Sequence, residues 1–290
     1  MSDRPQFFSF TGFLKLTRTW NLLIVAFTQL MTAVFILEIP KESWMTLSFL
    51  LFLFSTGAVA AAGYIINDYY DIKIDFVNKP ERVVIGKKLK RRSAMLLHAL
   101  LTAVALAIGY FLDWRIGLIH SASSIMLWYY SNSLKRLPFW GNLSIALLTG
   151  ITLVIVGVYF KEYNWPLYLY TGFAFFFTLI REIVKDLEDK AGDEKFGCKT
   201  LPIVWGIPKT KKFVYLLMAV FVLSLVYLNF PLSDGLKNIY LSAIFFMVLA
   251  VAFFLVRADK IRDFRNLSRW LKWITVFGVL SMVMNKLIEW

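Results

Sequence analysis

The feature that most restricts this chain is its series of long apolar blocks, among them "TWNLLIVAFTQLMTAVFIL" and "TLSFLLFLFSTGAVAAAGYII". About 20 apolar residues in a helix cross the roughly 30 Å hydrocarbon layer, inside which the backbone must satisfy its own hydrogen bonds. Nine blocks read as spans: 20–38, 45–66, 93–112, 114–132, 140–160, 165–184, 211–230, 236–256 and 270–289. The expected fold is therefore all-α, a polytopic membrane bundle of about nine helices. No stretch reads as a soluble domain or a low-complexity linker, so one integral domain, 1–290, is the simplest organisation. The composition agrees: 59% hydrophobic and only 18% charged, where soluble domains are nearer half apolar and more charged.

The net charge of +13 raises the question of a nucleic-acid partner. The distribution of the charge excludes it. With nine spans and an inner N-terminus, only Lys41, Arg115, Lys161, Lys237 and Lys286 of the 32 Lys and Arg fall on the outer side. That asymmetry is the positive-inside rule, and contact with anionic membrane lipids accounts for part of the remainder. The expected location is the cell membrane, multi-pass, with the N-terminus and the charged loops cytoplasmic and the C-terminus outside. Arg4, Lys15 and Arg18 precede a first run long enough to span, which reads as a retained helix rather than a cleaved signal.

One cysteine, Cys198, permits no internal disulfide and no Cys-based metal site. Lys195 and Lys199 flank it and are expected to favour its thiolate. His98 and His120 fall in separate spans and read as packing residues.

Two acidic stretches stand out against this background. "NDYYDIKID" carries Asp68, Asp71 and Asp75, and "REIVKDLEDKAGDEKFGCKTLP" carries Asp186, Asp189 and Asp193. Both triplets are spaced three and then four, at the inner end of an even-numbered span, four spans apart. Positions i, i+3 and i+7 fall within roughly 60° on a helix surface, so each triplet forms one carboxylate stripe. Gly192 is expected to weaken the second helix and leave Asp193 on a turn. Carboxylates so crowded need a cation, and oxygen ligands without His or Cys favour Mg²⁺ or Ca²⁺. Mg²⁺ is commonly held by one or two carboxylates plus substrate phosphates. Basic residues are interleaved: Lys73, Lys79, Arg82, Lys135, Arg136, Lys185 and Lys195. Arg82 and the Lys135–Arg136 pair, in short turn-rich segments, are the best phosphate candidates. Lys212 and Arg265 read as topology charges.

These residues resemble the UbiA superfamily of intramembrane prenyltransferases. The first signature, NDxxDxxxD, is complete as Asn67, Asp68, Asp71 and Asp75, followed by "VNKPERVVIG" with Val83 where proline is usual. Asp189, Asp193, Lys195 and Gly197 match the second signature. Tyr130, Ser131, Lys135 and Arg136 match a YS-x-x-x-KR element, and Arg18 and Asn21 match R-P-x-N with Thr19 in place of proline. The resemblance implies a central cavity open to the cytoplasmic face. Asp68, Asp71, Asp75, Asp189 and Asp193 would bind Mg²⁺ there, and Mg²⁺ the diphosphate of an isoprenyl donor, whose tail lies in an apolar tunnel. It also implies catalytic roles for Asn67, Asp186 and Tyr130. Substrate contacts are implied for Arg18, Asn21, Lys73, Arg82, Ser131, Lys135, Arg136 and Lys195. The acceptor implied by the second stretch is the hydroxyl of a prenylated glycerol phosphate, with the donor geranylgeranyl diphosphate. An aromatic ring acceptor, as in quinone synthesis, is the alternative.

Ionisation chemistry fits such a site. Diphosphate leaves when its gathering charge is neutralised, and the allylic cation left behind needs electron-rich faces, for which Tyr64, Tyr69, Tyr70 and Tyr130 lie near the motifs. Aspartates of the second stretch are candidates for a base. A cation transporter would need ionisable residues at mid-span. Here the span centres are nearly free of them.

Overall fold

The computed structural model describes residues 6–78, 80–229 and 235–283, and side chains within these except those of Arg82 and residues 225–241. Lys79, Lys286 and the end of the expected 270–289 span lie outside the described residues. The short α1 (Phe10–Leu16) is capped by Ser9, whose hydroxyl accepts the Gly12 N–H, and α2 (Thr19–Met31) runs into a π-turn at Thr32–Ile36. A four-residue α3 (Lys41–Trp44) precedes α4 (Leu47–Asn78). A 3₁₀ turn at Pro80–Arg82 leads to α5 (Arg91–Leu112) and α6 (Trp114–Asn132), and another at Leu134–Arg136 to α7 (Trp140–Phe160) and α8 (Trp165–Lys195). The short α9 (Leu201–Val204), α10 (Gly206–Asn229), α11 (Gly235–Arg257) and α12 (Ile261–Leu280) complete the chain. Among the described residues there is no strand, only isolated bridges of Gln6 and Ile85 to Leu89.

Among the described residues, each apolar block falls on a helix. By length and composition, five of these helices among the described residues can cross a membrane: Thr19–Ile36, α4, α5, α7 and α8. Large apolar side chains face outward, Phe111 at 81% and Trp20 at 77% exposed, an arrangement that water would not tolerate as a continuous surface. Inside, α8 is the central packing element, touching α4, α7, α10 and α12. Ile183, Val184 and Leu187 of α8 are buried against Val214 and Phe221 of α10, Val251 and Leu255 of α11 and Leu271 of α12.

Several helices run past their expected bounds, α4 to Asn78 among them, and at two of them the reason is local. The last helix begins at Ile261 rather than 270, because the Asp263 carboxylate accepts the N–H groups of Asp259 and Lys260 at 3.2 and 3.0 Å. Those bonds hold the carboxyl below its ordinary pKa and supply a helix start. The second exception concerns α8, which continues through Gly192 to Lys195, so Asp193 is helical rather than on a turn. Asn78, the last residue of α4, donates to the Asp189 carbonyl at 3.1 Å and accepts the Gly192 N–H at 3.0 Å. A Cβ at position 192 would run into that amide, so the glycine allows the close approach of two helices rather than ending one.

Candidate active site

The stitch at Asn78 holds the polar ends of α4 and α8 together, and both carboxylate stripes open into one cavity of about 1370 Å³. Asp68, Asp71 and Asp75 line it from α4, and Asp186, Asp189 and Asp193 from α8. Farther along the same helices its walls turn apolar, with Val59, Ala60 and Gly63 on α4 and Phe173, Ala174 and Phe177 on α8.

Cations from outside both helices meet the first stripe. Arg18 stands between α1 and α2 in the left-handed region, at φ 51°, a conformation that costs a non-glycine residue about 1 kcal/mol. The break aims its guanidinium at Asp68, 2.8 Å away, and over the Tyr64 ring, 4.9 Å from its centre. Lys135, from the 3₁₀ turn after α6, reaches Asp71 at 2.7 Å and donates to Asn67 Oδ1 at 3.3 Å. Burial pulls the Lys135 pKa down, with Asp71 opposing it. On α8, Asn142 of α7 donates to Asp186 Oδ2 at 2.8 Å, while the buried Glu182 pairs with Arg181 at 2.9 Å and Lys185 at 3.5 Å.

Arg18, Asn21, Asn67, Tyr130 and Lys135 line the cavity, as do all six expected aspartates. Lys73, Arg136 and Lys195 do not; their side chains are exposed. Arg136 instead contributes its carbonyl, which accepts the Lys199 N–H at 2.8 Å and ties the loop after α6 to the loop after α8. Ser131 is buried and donates to the Leu127 carbonyl at 2.8 Å. The Arg82 side chain lies outside the described ones. Of the tyrosines, Tyr64 and Tyr130 line the cavity, whereas Tyr69 sits beneath Arg91 and stacks edge-on with Tyr70 away from it.

Two further readings of the sequence need correction. Arg265 is not simply a topology charge: it lines the cavity and donates to Glu188 Oε1 at 3.2 Å. Cys198 is buried, and burial pushes its thiol up to about 11, so the flanking lysines do not favour the thiolate. His120 is buried, as expected of a packing residue, but also borders the cavity beside Thr56. Asn78 opens the "NKPER" part of the quoted motif, whereas Asn142, near the start of α7, belongs to no motif and carries no signal in the sequence beyond its polarity in an apolar block.

Among the described residues no three acidic, His or Cys side chains come close enough to share one metal ion. The donor set nevertheless suits Mg²⁺, which takes one or two carboxylates and completes its shell with water and phosphate oxygens. Both stripes offer carboxylates to one chamber, which Cys198 and His120 also border and His98 does not.

An acid-lined mouth over an apolar chamber, within helices able to cross a bilayer, has the two-part lining of a site for an amphiphile. The comparisons agree. The profile of the UbiA prenyltransferase family matches residues 18–278. A digeranylgeranylglyceryl phosphate synthase of Saccharolobus solfataricus is 32% identical over 80% of this chain and 82% of its own length. One of Methanococcoides burtonii is 31% identical over 94% and 99%. A solved structure of digeranylgeranylglyceryl phosphate synthase in membranes superposes with a TM-score of 0.73 at 26% identity, covering 96% of this chain and 99% of that one. An Archaeoglobus fulgidus UbiA homologue bound to DMAPP and Mg²⁺ shares the fold, with a TM-score of 0.64 at 18% identity over 94% and 99%. The chain belongs to the UbiA prenyltransferase family, and it is a prenyltransferase.

Proposed function

We propose that this enzyme transfers a geranylgeranyl group from its diphosphate to the free glycerol hydroxyl of geranylgeranylglyceryl phosphate, in ether-lipid synthesis. The carrying observation is the cavity itself, with two carboxylate stripes at its mouth and an apolar chamber behind them. The relatives of this chain that are digeranylgeranylglyceryl phosphate synthases support the choice of acceptor.

Asp68, Asp71, Asp75, Asp189 and Asp193 would hold Mg²⁺, which when bound supplies the charge neutralisation that makes diphosphate a leaving group. Arg18 and Lys135, already seated on the first stripe, meet the phosphate oxygens from the other side. The allylic C–O bond to diphosphate breaks, the new ether C–O bond forms at the glycerol oxygen, and the hydroxyl gives up its proton. Tyr64 and Tyr130 present electron-rich faces to the allylic cation, and the apolar walls keep water from it. The chain forms one integral domain of nine spans, with its N-terminus and the site's mouth cytoplasmic and its C-terminus outside.

The test is incubation of purified protein with Mg²⁺, geranylgeranyl diphosphate and a panel of glycerol-phosphate and aromatic acceptors, with products identified by mass. A digeranylgeranyl ether is expected. Prenylation of only aromatic rings would refute the acceptor assignment.

A further inference from the structure

The cavity has a second charged wall, opposite in sign to the stripes. Arg265, Arg269 and Lys272 of α12 all line it. Their spacing of four and then three places them within roughly 60° of one another, along about 10 Å of helix. The same stripe continues at Val276 and Val279, which also line the cavity. One helix face thus passes from three cations to apolar side chains in the direction in which α4 passes from carboxylates to Val59 and Ala60.

Topology alone does not select a face. Arg257, Lys260 and Arg262 belong to the same basic segment and do not line the cavity. Two of the cavity-lining three are also anchored: Arg265 on Glu188 of α8, and Lys272 on Asn21 Oδ1 of α2 at 2.8 Å. Arg269, between them, is exposed.

A carboxylate wall attracts a phosphate only through a metal, whereas an Arg–Arg–Lys wall binds one directly, the guanidinium fork matching phosphate oxygens. We propose that Arg265, Arg269 and Lys272 form a metal-independent site for the phosphate monoester of the lipid acceptor, whose alkyl chain lies along Val276 and Val279. This deepens the acceptor reading above and rests on it. The two anionic heads are thereby sorted: diphosphate to the carboxylate side with metal, monophosphate to the α12 side without it.

The test is equilibrium binding of radiolabelled geranylgeranylglyceryl phosphate and its dephosphorylated alcohol to the full chain in nanodiscs of neutral lipid, with EDTA and no donor. The phosphorylated lipid is expected to bind about tenfold or more tighter than the alcohol, despite the chelator. Arg269→Ala and Lys272→Gln should each weaken phosphate binding about ten- to a hundredfold, the range for one charge-assisted hydrogen bond, and leave alcohol binding unchanged. Arg269→Lys should retain most of the affinity, and Lys212→Ala, exposed on α10, should be silent. Donor affinity, measured with Mg²⁺, should stay within about twofold throughout. Loss of donor affinity in parallel, or equal binding of phosphate and alcohol, would overturn the proposal. So would variant effects that appear only in discs of anionic lipid, which would assign the row to bilayer headgroups. If the phosphorylated lipid binds at this row but only aromatic rings are prenylated, the acceptor reading fails and the phosphate site stands.

Discussion

Among the described residues, Lys135 and Asp71 form the most enclosed of the cavity's ion pairs, with side chains 10% and 15% exposed, against 44% for Arg265 on Glu188. Breaking an enclosed pair leaves an uncompensated charge, at a cost of roughly 3 kcal/mol or more, so Asp71→Asn is expected to lower stability as well as chemistry. Turnover should fall about a hundredfold or more in Asp71→Asn and Asp189→Asn alike, and thermal denaturation in detergent should separate them, with Asp71→Asn the less stable. Undiminished turnover in both would remove the carboxylates from the donor site. Cys198 gives a second measurement at this scale. With its thiol pushed up to about 11 by burial, the thiolate is scarce at neutral pH and grows as pH rises toward that value. Alkylation should therefore be slow at pH 7 and accelerate about tenfold per unit up to about pH 10. A rate already level above pH 8 would mean an activated thiol. The carboxylates were legible in the sequence because their spacing repeats. The left-handed Arg18 that serves them was not, since only the position of Asp68 in space gives that backbone its reason.

The joint between α4 and α8 decides whether the two stripes form one site, and it turns on Asn78 and Gly192. Asn78→Ala removes one hydrogen bond to each of two backbone groups of α8, a loss of about 1–3 kcal/mol. Gly192→Ala alone should also destabilise, because its Cβ meets the Asn78 amide. In the Asn78→Ala background that obstruction is gone, and alanine is the better helix former by about 1 kcal/mol, so the same substitution should become neutral or stabilising. Denaturation of the four proteins of this cycle measures the coupling, and additive effects would refute the joint. Read from sequence, Gly192 signals a weakened helix, because propensity is local; the partner that makes it a contact surface lies 114 positions away. The start of α12 was hidden for a related reason. Hydropathy marks where a helix enters lipid, not where Asp263 caps it, and Arg265 and Arg269 of the cation row lie on the polar turns between those two points.

At the scale of the whole molecule, the apolar blocks made the helical class plain, and the charge asymmetry set an expected orientation that packing alone does not fix. Sidedness needs a probe on the loop beside the mouth, which Cys198 borders. Cys198 is too buried for a membrane-impermeant reagent, but its neighbour Lys199 is exposed, and its backbone is held by the Arg136 carbonyl whatever its side chain. Lys199→Cys in a Cys198→Ser background should label in inverted vesicles and not in right-side-out ones, as the positive-inside rule requires. Because that hydrogen bond couples the loop after α8 to the turn that carries Lys135, a diphosphate drawing Lys135 inward should also draw in the loop. Mg²⁺ with a prenyl diphosphate is therefore expected to slow labelling by several-fold, with either alone doing less. Labelling from the outer side would invert the topology and move both carboxylate stripes to the opposite face. Inner labelling at a rate indifferent to ligand would keep the orientation and show that the mouth is rigid, its carboxylates taking up metal and diphosphate without help from the loop.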